Sequence, residues 1–291
     1  MAEPSRRGVP AEGSAERVMR RLRVADTVNI RGMLIDRVDM GEALSRIESF
    51  ISEGRPHRIV TVNLDYLRHS RRDKHFQDAL NSADLAVADG APLVWASRLF
   101  GHPLPERVTG VDLADRCAEL AAARGYRLFL LGAGPGVAEA VARVLEQKYP
   151  GLHIAGTYTP PFGDFSQEEE QRIHDRIRQA RPEILLVGLP TPRQELWNHG
   201  HAEDWGVPVT IGVGAAFDML SGLVRRAPPW MQRSGLEWLF RLWVEPRRLW
   251  KRYLLDDSVE LVRLLACRLT LRREPNGYSG RRTHQRGDSR D

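Results

Sequence analysis

The chain has 291 residues, 42% of them hydrophobic, which is enough for one sizeable α/β core with an appendage and excludes disorder along its whole length. Its formal net charge is +5, but from Arg225 to Arg273 twelve Lys/Arg stand against five Asp/Glu, so the remainder is slightly acidic and any attraction to polyanions is local. The two cysteines, Cys117 and Cys267, form no Cys-x-x-Cys and sit in apolar helical contexts, which argues against a metal site and for a reducing compartment.

Residues 1–23, rich in Arg, Ala, Glu, Gly and Ser, offer little to bury and are expected to form a disordered tail. No early stretch has the apolar run of a signal peptide, and runs such as LFLLGAG (128–134) are too short to span a bilayer, so the protein is expected to stay on the cytoplasmic side. Across 24–224, short apolar runs alternate with amphipathic stretches. RIVTVN (58–63), LAVAD (85–89), YRLFLLGA (126–133), LHIAGTY (152–158), EILLVGLP (183–190) and VPVTIGVG (207–214) each read as a buried strand. GVAEAVARVLEQKY (136–149) and SQEEEQRIHDRIRQA (166–180) carry helical periodicity. The alternation predicts an α/β core: a mostly parallel, Rossmann-like sheet with helices on both faces and binding residues at the carboxyl ends of its strands. Near Arg225 the strand signal stops, leaving 225–273 as a basic, Trp-rich helical appendage in which Pro246 and the Pro228-Pro229 pair predict short, separate helices. The last stretch, 274–291, is polar throughout and is read as a second disordered tail.

Polar residues at the predicted strand ends are the candidates for chemistry. Thr61 and Asn63 close the first run, Asp89 and Gly90 the second, Gln194 and Glu195 follow LLVGLPTP, and Gly214 and Asp218 follow the last run. One such residue is ordinarily a helix cap or turn former; several at one sheet edge point to a site. Asp89, flanked by Leu85, Val87 and Pro92, suits a general base because partial desolvation raises a carboxylate's pKa, with a helix cap as the alternative. Arg107 can neutralise a phosphate with its planar donors, or form an ion pair with Glu106 or Asp112. Gly132, Gly134 and Gly136 make a turn between strand and helix that either approaches a diphosphate or packs helix on strand; Pro135 and the spacing depart from the dinucleotide fingerprint. The chain contains no Asp-x-Asp, the usual carboxylate pair for a divalent ion on a sugar nucleotide, so no metal or other cofactor is expected and leaving-group charge falls to Arg, backbone N–H groups or a helix N-terminus.

These segments, with PERVTGVDL (105–113), YPGLHIAGTY (149–158), IGVGAAFD (211–218), RRAPPWM (225–231) and GLEWLFRLWVEPRRLWKRY (235–253), resemble the WecG/TagA/CpsF family, glycosyltransferase family 26, from about Asn29 to Asp257. The resemblance implies transfer of N-acetylmannosamine or its uronic acid from a UDP donor to a polyprenyl-diphosphate-linked saccharide acceptor, with inversion and without metal. It implies Asp89 as general base, Thr61 as an essential pocket residue, Arg107 as a catalytic arginine, Gln194 near the diphosphate and donor sugar, and Asp218 near uracil and ribose. It also implies that the appendage closes over the site and brings Arg241 and Arg248 to the lipid diphosphate; family members can form homo-oligomers, and the sequence does not give the oligomeric state. Gly188-Leu189-Pro190 replaces the family's Gly-Leu-Gly, and TYTPPFGDF (157–165) is proline-rich where relatives have Gly-Tyr-Phe; the second loop is expected to line the donor pocket.

Four of the seven tryptophans, Trp230, Trp238, Trp243 and Trp250, interleave with Arg241, Arg247, Arg248, Lys251 and Arg252. Trp favours the headgroup zone and Lys/Arg an anionic leaflet, so the appendage is expected to lie on the inner face of the cytoplasmic membrane; the alternative is a hairpin packed on the core. Two other readings are weighed. A basic aromatic patch also suits a nucleic-acid backbone, against which the core looks built for a small nucleotide and no nucleic-acid partner is expected. An NAD-dependent oxidoreductase would need the full glycine fingerprint and an acidic residue after LHIAGTY.

Overall fold

The computed structural model describes residues 26–99 and 101–271; the tails expected at 1–23 and 274–291 lie outside them. All six expected strands form, within two residues of their predicted ends: β3 (His57–Val62), β4 (Leu85–Ala88), β5 (Arg127–Gly132), β6 (His153–Tyr158), β7 (Ile184–Gly188) and β8 (Val209–Gly212). They make one sheet in the order β4-β3-β8-β7-β5-β6, and every pairing is parallel. A two-stranded antiparallel hairpin, β1 (Thr27–Ile30) and β2 (Met33–Asp36), forms a separate sheet packed on it and was not anticipated.

Strand residues alternate between two apolar layers because successive side chains leave opposite faces of a pleated strand. Ile59, Leu85, Val87, Leu128 and Leu186 meet α1 (Met40–Glu53), α5 (Gly110–Arg124) and α6 (Val137–Lys148) on one face. Val60, Val62, Ala86 and Ala88 meet the hairpin, α2 (Leu64–Arg72), α3 (Lys74–Asn81) and α4 (Ala91–Leu99) on the other. Further along that second face, Phe129, Leu131, Leu185 and Val187 pack on α7 (Gln167–Ala180) and α8 (Arg193–Trp205). Cys117 is free and fully buried in the first layer, where burial pushes its thiol up to about 12, an inert core residue.

After β8 come α9 (Ala216–Leu220) and then only helices: α10 (Pro229–Arg233), α11 (Glu237–Val244), α12 (Pro246–Trp250), a π-helical segment (Lys251–Asp257) and α13 (Ser258–Leu271). Pro229 and Pro246 occupy the first turns of their helices, where a missing N–H costs nothing, and so cut the appendage into the short pieces expected. The appendage folds back over the carboxyl end of the sheet. Gly235 lies so close to α4 that a Cβ there would stand 2.7 Å from Ala91 Cβ and from Trp95, and Leu264 of α13 joins the core beneath the hairpin.

Candidate functional site

The strand order carries β3 and β4 to one side and β5 and β6 to the other, with β7 and β8 filled in between, so the chain reverses direction beside β3 and β8. Ligand crevices in open parallel sheets form at such a reversal, outside the carboxyl ends. A cavity of about 190 Å³ lies there, walled by the core on one side and the appendage on the other.

Thr61, Asn63, Asp89, Arg107, Gly214, Arg241 and Arg248, all singled out in the sequence, line this cavity. Thr61 is buried and its hydroxyl donates to Gly212 O at 2.9 Å, tying β3 to β8 under the floor. Asn63 caps α2, its Oδ1 accepting from Asp65 N–H at 3.0 Å and Tyr66 N–H at 3.3 Å, so the cap and the pocket wall are the same residue. Asp89 is half-buried between β4 and α4. Burial raises its pKa from 3.8 to about 6 against the opposing pull of Arg241, the Gly110 N–H at the start of α5, and Arg107; Glu237 adds to the rise. At neutral pH this carboxylate is ionised yet basic enough to take a proton.

Arg107 makes neither of the ion pairs weighed for it. Glu106 accepts from Met40 N–H at 2.8 Å, and Asp112 is held in a fork by Arg226 at 2.6 and 2.8 Å. Arg107 Nη1 instead donates to Glu237 Oε2 of α11 at 2.6 Å, and Arg226 Nε donates to the other Glu237 oxygen at 3.1 Å. Core and appendage are thus joined by a half-buried network in which Arg226 stays charged despite its desolvation. Arg241, one turn further along α11, enters the cavity with its Nε buried and unpartnered, whereas Arg248 is exposed at the rim and paired with Glu245 at 2.8 Å.

The other candidates stand away from the cavity surface. Gln194 is completely buried beneath it: its Oε1 accepts from Leu189 N–H at 3.1 Å and Gly214 N–H at 2.9 Å, and its Nε2 donates to Glu195 Oε1 at 2.6 Å. It fixes the loops after β7 and β8 relative to each other. Glu195 also accepts from the Tyr66 hydroxyl, and burial raises its pKa to about 7. Gly132, with φ +109, is packed so tightly that a Cβ would stand 2.4 Å from Gly188 O, which accounts for that glycine by strand packing. Gly134 and Gly136 shape the turn into α6, two strands from β8 in the sheet order. Asp218 is half-buried on α9, and its pKa is raised by burial against the pull of Arg248 and Arg241. The loop 157–165, expected to line the donor pocket, does not border this cavity: Phe162 is exposed, Phe165 packs edge-on against Trp197 beneath the Arg193 guanidinium, and Thr159 donates to Gly132 O at 3.2 Å. The Phe165 and Thr159 contacts hold the loop against α8 and the end of β5 instead.

Among the lining residues that were missed are Tyr66, Glu237, Arg252 and Asp257. Tyr66 was legible, since it lies one turn into the helix that Asn63 caps. Arg252 and Asp257 depend on a helical register that spacing alone does not give.

A half-buried basic carboxylate facing arginines at a nucleotide-type crevice is the constellation of an enzyme that activates a hydroxyl and stabilises an anionic leaving group, and the chain is a glycosyltransferase. It belongs to the glycosyl transferase WecG/TagA/CpsF family, which it matches over residues 28–274. Among similar proteins is N-acetylglucosaminyldiphosphoundecaprenol N-acetyl-beta-D-mannosaminyltransferase of Staphylococcus aureus strain NCTC 8325 / PS 47, 29% identical over 224 residues, 76% of this chain and 86% of that protein. The protein of the same description from strain MRSA252 is equally similar, 29% over 224 residues with the same coverage. Membership of this family replaces the nucleic-acid and oxidoreductase readings.

The appendage has a second, outward side. Trp230, Leu239, Trp243, Trp250, Leu254 and Leu255 are exposed, with Trp243 76% accessible, which argues against the alternative that these tryptophans pack on the core. No helix among the described residues is long and apolar enough to cross a membrane.

Proposed function

We propose that the protein transfers an N-acetylmannosamine-type sugar from a UDP donor to a polyprenyl-diphosphate-linked saccharide at the inner face of the cytoplasmic membrane, within the synthesis of a cell-surface polymer such as teichoic acid. The observation that carries this reading is Asp89, a half-buried carboxylate raised to about 6 and opposed across one cavity by Arg107 and Arg241. The relatives' names supply the acceptor class and the sugar.

In the reaction, the acceptor hydroxyl lies against Asp89, which removes its proton as the oxygen attacks C1 of the donor sugar. The C1–O bond to UDP breaks on the opposite side, so a single displacement inverts the anomeric centre. Charge developing on the departing diphosphate is met by Arg107 and Arg241, by Arg248 at the rim, and by the N-terminus of α5 at Gly110. Arginines in place of an Asp-x-Asp pair support departure without a metal. For Arg107 to engage the diphosphate, the donor must compete with Glu237, so substrate entry and appendage position are linked. Gln194, Glu195 and Thr61 position the loops, and the nucleoside would extend from the cavity toward Asp218 and the turn at Gly134 and Gly136. The 24–224 core would hold the donor, and the 225–273 appendage would present its exposed tryptophans and arginines to anionic lipid.

The test is UDP release from a panel of UDP-sugars with a short polyprenyl-diphosphate-N-acetylglucosamine analogue, in EDTA, for wild type and Asp89→Asn. Release with one donor that is lost in the variant supports the reading. Undiminished release in the variant removes Asp89 as base, and no release with any donor removes the reaction.

A further inference from the structure

Asp257 is the cavity-lining carboxylate that the mechanism above does not use. It is 8% exposed, and its Oδ1 is buried with no hydrogen-bond partner. Its other oxygen faces Arg252 Nε at 3.7 Å, beyond hydrogen-bond reach, and that Nε is unpartnered as well. An unpaired acceptor held against a cavity is costly unless something donates to it, because a buried oxygen stripped of water loses the full value of its hydrogen bond.

Its position depends on the π-helix. Arg248, Arg252 and Asp257 all line the cavity. In an uninterrupted α-helix Asp257 would follow Arg248 by about two and a half turns and point away from the cavity. Over Lys251–Asp257 the helix is wound with i→i+5 bonding, which takes more residues per turn and brings Asp257 back onto the face that carries Arg252. Such segments are frequent at functional sites.

Charges of both signs line the cavity at each end. Arg107, Arg241 and Arg248 lie along the α11 and α12 side, while Asp257 stands with Arg252 over α2, where Asp65 also faces Arg252 at 3.8 Å. Asp257 and Asp65 offset the charge of Arg252 there, and the orphan Asp257 oxygen can only accept, so this end suits a neutral group bearing hydroxyls. This end lies over β3 and β4, the same side as Asp89 and away from the β5 turn and Asp218. On the reading of Asp89 as the base, the group placed there is the acceptor.

We propose that Asp257 is a specificity-determining residue that accepts a hydrogen bond from a non-reacting hydroxyl of the acceptor saccharide, and that the π-helical turn exists to deliver it. This rests on the transferase reading of the same cavity. Asp257 thereby selects the sugar next to the lipid diphosphate, leaving donor affinity to the core.

The test is calorimetric binding of a short-chain polyprenyl-diphosphate-N-acetylglucosamine analogue and its monodeoxy versions to the full chain, with donor turnover followed in parallel. The expected result for Asp257→Ala is an acceptor affinity about tenfold to a hundredfold weaker, with UDP affinity unchanged. One deoxy acceptor should weaken binding to wild type by a similar factor and to Asp257→Ala not at all, as a shared contact requires. Asp257→Asn, which keeps an acceptor oxygen in the same shape, should recover most of the loss. Losses that multiply for every deoxy acceptor would reduce Asp257 to a counter-ion of Arg252 and overturn the proposal, as would unchanged acceptor binding. Product formed by wild type without this coupling removes the Asp257 role alone; coupling without product removes the reaction and keeps the hydroxyl subsite.

Discussion

Replacing Asp89 by Asn should cost activity and add stability, in opposite directions and with a defined pH dependence. The carboxylate's pKa rises from 3.8 to about 6 on folding, chiefly through burial. At about 1.36 kcal/mol per unit, ionised Asp89 destabilises the fold by up to about 3 kcal/mol, and by about 1–3 kcal/mol once its partial contact with solvent is allowed for. The sign follows from proton uptake. Above pH 6 the group is ionised in both states and the penalty is complete; as pH falls through about 6 the folded state binds the proton first, and below about 4 the penalty is gone. Asp89→Asn should therefore melt about 2–5 °C above wild type at pH 8, and the two should converge near pH 4. Turnover of the variant should fall by about 10²–10⁴ at pH 7.5, and wild-type kcat should drop about tenfold per unit below pH 6. Thermal melts across pH 4–8 with matched kinetics are the assay. A variant less stable at pH 8, or one retaining a tenth of wild-type turnover, would refute the reasoning.

Glu237→Gln should weaken the joint between core and appendage, raising amide exchange in α11 while leaving the β-sheet protected; unchanged exchange in α11 would mean the pairs with Arg107 and Arg226 do not hold it. Gly132→Ala should destabilise by about 2–4 kcal/mol in urea titration, because its Cβ meets Gly188 backbone and its φ is unfavourable for alanine; a neutral variant would contradict the packing role. Gln194→Ala should leave one buried and one part-buried N–H unsatisfied and lower stability by about 1–3 kcal/mol, with donor KM rising as the loops at Leu189 and Gly214 separate. Trp230→Ala with Trp243→Ala should reduce sedimentation with vesicles of anionic lipid at least tenfold, and leave turnover of a water-soluble acceptor within twofold; equal vesicle binding would remove the outward face as the docking surface.

The parallel sheet was legible because each strand but β6 is a short apolar run ended by Gly, Asn or Asp, as burial on both faces requires; β6, read as buried, is a partly exposed edge strand. The hairpin was not, since β1 and β2 have only four residues each and its turn, Arg31-Gly32, lacks the usual Asn-Gly or Asp-Gly signal. Residues at strand ends could be found because parallel topology sends them all to one edge, and Thr61, Asn63, Asp89 and Gly214 converge there. Sequence could not separate those that face the cavity from those one layer below. Gln194 and Gly132 carry the same kind of signal as Asp89, yet the first bonds two loops and the second admits a neighbouring strand. Asp257 was invisible for a different reason: a period of 3.6 assigns it to the wrong side of its helix, and only the π-helical turn restores it.

The most direct test of the central claim is the product itself: mass and anomeric configuration of the lipid-linked saccharide formed from UDP-N-acetylmannosamine and a polyprenyl-diphosphate-N-acetylglucosamine analogue. Attack by an Asp89-activated hydroxyl in one displacement predicts a single added N-acetylhexosamine with configuration inverted relative to the donor. A product of retained configuration, or UDP released with no sugar on the acceptor, would contradict it.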